Sequence, residues 1–110
     1  MTSSREREVR KAYEALQGRP FPEGSEDETA RELHAELVLI DTEFNGLIAR
    51  SLGGAEAGLF GAEDEWRYLD RKARLESLTR DGSVRAATDA RRYLDYLGAI
   101  WEVVALVKLQ

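Results

Sequence analysis

Apolar residues recur along this chain at intervals of three and four, the period of a helix with one covered face. The clearest row is Leu33, Leu37, Ile40, Phe44 and Leu47. It predicts a helix over about 26–52, opened by Ser25 and Glu28 as a capping box and closed by Gly53 and Gly54. Ahead of it, Val9, Ala12, Tyr13 and Leu16 form a narrow stripe on a short helix over about 4–17, with Ser3 and Glu6 at its start and Gly18 at its end. Two prolines in the connector GRPFPEG forbid the first helix from continuing into the second. After the loop GGAEAGLFG, the acidic run Glu63, Asp64 and Glu65 suits a helix N-terminus and marks a helix over about 63–80. Trp66, Leu69 and Ala73 share one line on that helix, with Tyr68, Leu75 and Leu78 beside it. The break RDGS then turns the chain into a fourth helix over about 84–108. The pattern predicts a single all-α domain, 1–110, built as an antiparallel helical bundle of one short and three longer helices.

The fourth helix carries one apolar stripe through Ala87, Ala90, Leu94, Leu97, Trp101 and Val104, and a second through Tyr93, Tyr96, Ile100, Val103 and Val107. A third stripe begins polar at Arg85 and Thr88 but ends apolar at Leu106 and Leu109. The segment LGAIWEVVALVKLQ is therefore apolar on nearly every side. Helices of that kind are surrounded by protein. Three companions, one of them short, are few for the purpose, so the sequence predicts a bundle completed by dimerisation. Tyr93, Tyr96, Ile100, Val103, Leu106, Val107 and Leu109 are the expected interface. The isoleucines, valines and tryptophan of this segment also suit a strand, but the helical spacing is continuous from Ala87 and no second strand is evident.

Composition narrows the partners. The 110 residues carry 21 acids against 16 bases, a net charge of −5, which disfavours phosphate backbones. No nucleic acid is expected as a partner. There are no cysteines, so disulfides and thiolate metal sites are excluded. MTSSREREVRK has charges with no apolar core behind them, and Glu102 and Lys108 interrupt the longest apolar run. No membrane association is expected, and a cytoplasmic location is. Arginine far outnumbers lysine, which points to a bacterial, GC-rich genome.

Chemical motifs are sparse. The single histidine, His34, lies at the margin of the second helix's apolar row, two turns from Asp41, too far for both to ligate one metal ion. It reads as a boundary histidine, hydrogen-bonded or solvated. Asp41 and Asn45 stand one turn apart, in place for a polar contact that fixes helix register. No Glu-x-x-His pair, nucleophilic triad or P-loop is present, so no metal, no cofactor and no catalytic residue is assigned. GGAEAGLFG reads first as a connector and second as a docking tip, because Leu59 and Phe60 are apolar for a glycine-rich loop.

The stretch IDTEFNGLIAR, Ile40 to Arg50, loosely resembles the first-helix pattern of the all-helical chorismate mutases, which form intertwined helical dimers. The likeness covers about a dozen residues and departs where that family binds substrate. His34 stands at the place of a binding arginine, Arg50 is one place out of step, and the following lysine position falls in a Gly/Ala stretch. That activity is not carried over. The expected function is a non-enzymatic protein–protein interaction module, a self-associating regulator or inhibitor of the antitoxin, immunity or phage-inhibitor type, with a heterologous protein as a further partner. The alternative is a small-molecule-binding bundle, its pocket lined by Asp41, Asn45, Tyr93 and Trp101 and closed by the 53–61 loop.

Overall fold

Four helices follow one another along the chain: α1 over Ser4–Gln17, α2 over Glu28–Leu52, α3 over Ala62–Asp81 and α4 over Val84–Lys108. They are seen in a computed structural model, which describes residues 4–54 and 60–108. No strand occurs among the described residues. The molecule measures 51 × 27 × 18 Å, the shape of a flattened bundle of long helices.

Local chemistry sets the ends. Asp27, not Ser25, caps α2: its carboxylate accepts from the Ala30 N–H at 3.0 Å. The helix therefore starts at Glu28, two residues beyond the start that the Ser25 box marks. Gly61 opens α3 by donating its N–H to the Asp64 carboxylate at 3.0 Å. Between α3 and α4 the turn is so tight that a Cβ on Gly82 would fall 2.6 Å from the Leu78 carbonyl oxygen, so only glycine fits. Ser83 then caps α4, its hydroxyl accepting from the Ala86 N–H at 3.1 Å.

Helix α4 is the centre of the fold. α1, α2 and α3 all pack on it, and α2 touches α1 and α3 more lightly. The core runs through Leu33, Leu37, Ile40, Phe44 and Ile48 of α2 and through Tyr93, Tyr96, Leu97, Ile100, Val103 and Val104 of α4. Ile48 rather than Leu47 completes the α2 row, because a helix of 3.6 residues per turn drifts against a strict seven-residue repeat. Side chains of this kind each contribute about 1.5–3 kcal/mol when buried, so the α4 row is a large share of what holds the domain together.

The central position of α4 accounts for its apolar character within one copy of the chain. Tyr93, Tyr96, Ile100 and Val103, expected between two copies, are all buried by their own chain. The premise that three companions are too few does not hold: α1 is short, but the 18–25 connector also lies against α4 and helps to cover it. Leu106 and Val107 are half-buried, and Leu109 lies outside the described residues.

Candidate functional site

The connector is pinned at several points. Phe21, between its two prolines, packs edge-on against His34 at 5.4 Å and Tyr96 at 4.9 Å between ring centres. The Tyr93 hydroxyl donates to the Glu23 carbonyl at 2.8 Å, and the His34 Nε2–H donates to the Pro22 carbonyl at 2.8 Å. Below this layer, the Tyr96 hydroxyl donates to Asp41 Oδ1 at 3.1 Å, and the Asn45 amide donates to the same oxygen at 2.7 Å. Burial pushes the Tyr96 hydroxyl up to about 12, with the Asp41 carboxylate adding to the rise. Burial likewise raises Tyr93.

These bonds decide where the pocket residues lie. Asp41 and Asn45 are together, joined by Tyr96 rather than Tyr93. Tyr93 lies against His34, with ring centres 5.2 Å apart. Trp101 points to the α3 side, flat on Tyr68 at 4.2 Å with the rings 3° from parallel. These contacts give Tyr93 and Trp101 partners other than the Asp41–Asn45 pair. Phe60 is buried against Phe44, edge-on at 5.5 Å, so it belongs to the core rather than to a free loop tip. Leu59 lies outside the described residues.

A second polar cluster joins the start of α2 to α4. The Ser25 hydroxyl donates to Asp89 at 2.5 Å and accepts from the Asp27 N–H at 3.1 Å. Arg92 pairs with the other Asp89 oxygen. Hydrogen bonding from Ser25 and the Arg92 charge hold the Asp89 carboxyl below the usual carboxylate range, despite its burial. Both clusters are closed sets in which each group serves its neighbour, and their chemistry is that of register and anchoring. Among the described residues no group of three His, Asp or Glu side chains is placed to hold a metal ion, and no helix is long and apolar enough to cross a membrane.

The surface is where apolar side chains lack partners. On α2, a second row runs opposite the core row: Ala35, Val38, Leu39, Thr42, Gly46 and Ala49, all exposed and none charged. Leu39 is 53% exposed and Val38 41%. On α3, Trp66 is 64% and Leu69 49% exposed, on the side turned away from Leu75 and the core. Sequence reasoning picked out the Trp66 line but missed the outer α2 row, which is offset by two residues from the stronger Leu33–Phe44 pattern. Ion pairs tie the two helices together: Glu36 to Arg71 at 2.9 Å and Glu43 to Arg67 at 2.5 Å, ascending on α2 as they descend on α3.

An open groove of about 630 Å³ lies between the first half of α2 and the end of α3, with Leu33 and Leu78 in it and Glu32, Glu36, Arg74 and Asp81 along it. It includes none of the four expected pocket residues. No family model, curated protein or solved structure matches the chain, so the likeness of Ile40–Arg50 to the chorismate mutases rests on those residues alone.

Proposed function

We propose that this protein is a non-enzymatic protein–protein interaction module, a small antiparallel helical bundle that self-associates and acts as a regulator or inhibitor of another protein. The observation that carries the reading is the exposure of Leu39 and Trp66 on the solvent sides of two neighbouring helices. Single apolar residues on a surface need no explanation, but an aligned, uncharged row in a chain with 34% charged residues does. Tryptophan in particular is enriched among the anchors of protein interfaces. The polar clusters favour the same class, because their groups are spent on one another rather than aimed at a ligand.

The contact faces belong to α2 and α3, not to the α4 residues that the sequence pattern favours. The small-molecule alternative has less behind it. The groove between α2 and α3 has the volume of a ligand site, but it is open to water along its length. Thermal midpoints at several protein concentrations separate the two readings. Self-association raises the midpoint with concentration; a midpoint independent of concentration, with no larger species in solution, refutes the self-association reading.

A further inference from the structure

We propose that the outer face of α2 takes the α2 helix of a second copy, running in the opposite direction, so that Leu39 of each copy seats against Gly46 and Ala49 of the other. This rests on the self-association reading and adds to it the surface, the direction and the register.

The outer row Ala35, Leu39, Thr42, Gly46, Ala49 advances by four, three, four and three residues. That is the spacing of a coiled-coil seam, yet within one chain the row faces solvent. Three further observations say what covers it. First, Gly46 has no role inside the chain: a Cβ placed there would meet nothing within 4 Å. Glycine in mid-helix costs about 1 kcal/mol relative to alanine, and its use here makes room for an approaching helix. Gly98 on α4 is equally unhindered, but its exposed neighbours Arg91, Asp95 and Glu102 are charged, so that face suits water. Second, Thr42 donates its hydroxyl to the Val38 carbonyl of its own helix at 3.0 Å. Its polar atom is satisfied internally, and the seam can close dry without leaving a buried group unpaired.

Third, size and charge along the row complement each other only when the partner is reversed. The large residue, Leu39, lies toward one end and the small residues, Gly46 and Ala49, toward the other. An antiparallel pair places the large residue of each copy over the small ones of its partner. A parallel pair would set Leu39 against Leu39 and leave the Gly46 notch empty. The flanking charges agree. Glu32 borders the first half of the row and Arg50 the second, while Glu36 is already held by Arg71 of its own chain at 2.9 Å. Reversal turns the Glu32 end of each copy toward the Arg50 end of the other, whereas parallel pairing keeps the like-charged ends at the same height. Glu43, near the axis, is already neutralised by Arg67 of its own chain.

The absence of cysteine makes a direct test available. Leu39→Cys and Ala49→Cys chains are prepared separately, then oxidised alone and as a mixture. The antiparallel register predicts a mixed 39–49 disulfide in the mixture and little linkage of either chain with itself. Self-linkage of each variant alone shows a parallel pair and overturns the direction. A dimer by mass that forms no 39–49 link overturns the surface while leaving self-association intact. A wild-type chain that stays monomeric removes both. Gly46→Leu supplies a second reading: the helix gains propensity, so its circular dichroism is retained. The filled notch weakens the dimer at least about tenfold. Unchanged association of a folded Gly46→Leu chain contradicts the proposal.

Discussion

The Ser25 hydroxyl donates to the Asp89 carboxylate at 2.5 Å across 64 positions of sequence, tying the end of the connector to the first half of α4. The bond fixes the α1–α2 connection against the central helix, and Arg92 on the other oxygen completes the neutralisation. Asp89 is buried, so losing these partners leaves a charge with nothing to satisfy it.

Because Asp89 titrates below its unfolded range, it binds fewer protons in the folded state at mild acidity. Its contribution is present in full above about pH 4, the unfolded carboxyl value, and is lost as pH falls through the lowered folded value. Denaturant unfolding at pH 7 and pH 3 should show this acid loss in the wild type. Ser25→Ala should lower stability at pH 7 by about 1–3 kcal/mol and flatten the acid limb. An acid limb of unchanged size in Ser25→Ala shows that the bond does not set the Asp89 titration.

Tyr96 gives the opposite limb. Its hydroxyl is raised to about 12, so the stabilisation it contributes is complete below about pH 10, the unfolded tyrosine value, and disappears as pH rises toward 12. Tyr96→Phe keeps the ring that Phe21 meets edge-on but removes the donor to Asp41. The expected cost is about 1–2 kcal/mol at pH 7, with a weaker loss of stability between pH 10 and 12. Equal alkaline slopes in the two proteins would place the titration elsewhere.

Phe60 tests where the 53–61 loop belongs. As a free tip, its replacement by serine would leave the fold unchanged. Packed on Phe44 within the core, it should cost about 3–5 kcal/mol on truncation. The urea midpoint of Phe60→Ser decides between the two.

Ile100→Glu with Val103→Glu separates core from contact face. Both side chains are buried inside one copy, and two unpaired carboxylates there cost several kcal/mol each, against about 5–15 kcal/mol for a whole domain. The double variant should be unfolded or insoluble. A folded, soluble monomer would return these residues to an interface.

The helices were legible because their signals are local. The Leu33–Phe44 row, the paired prolines, the Gly82 turn and the acidic start of α3 each act within a few residues. The role of α4 was not legible, because an all-round apolar helix looks the same whether its own chain or a second copy surrounds it. What settled the matter was the connector: Phe21 between Pro20 and Pro22 was the one apolar clue that this segment packs rather than merely links. Asp41 with Asn45 was readable from one-turn spacing, but their tie to Tyr96 joins helices far apart in sequence. The outer α2 row was hidden by residue size, since alanine, threonine and glycine carry little weight beside leucine and phenylalanine.

The most direct test of self-association through α2 is the mass in solution, by light scattering across a wide concentration range, of the wild type beside Gly46→Leu. The wild type should reach twice the 12.4 kDa chain mass, and Gly46→Leu, while fully helical, should reach the same dimer fraction only at about tenfold or higher concentration. A wild type that holds at 12.4 kDa throughout, or a Gly46→Leu chain that dimerises as readily, would contradict it.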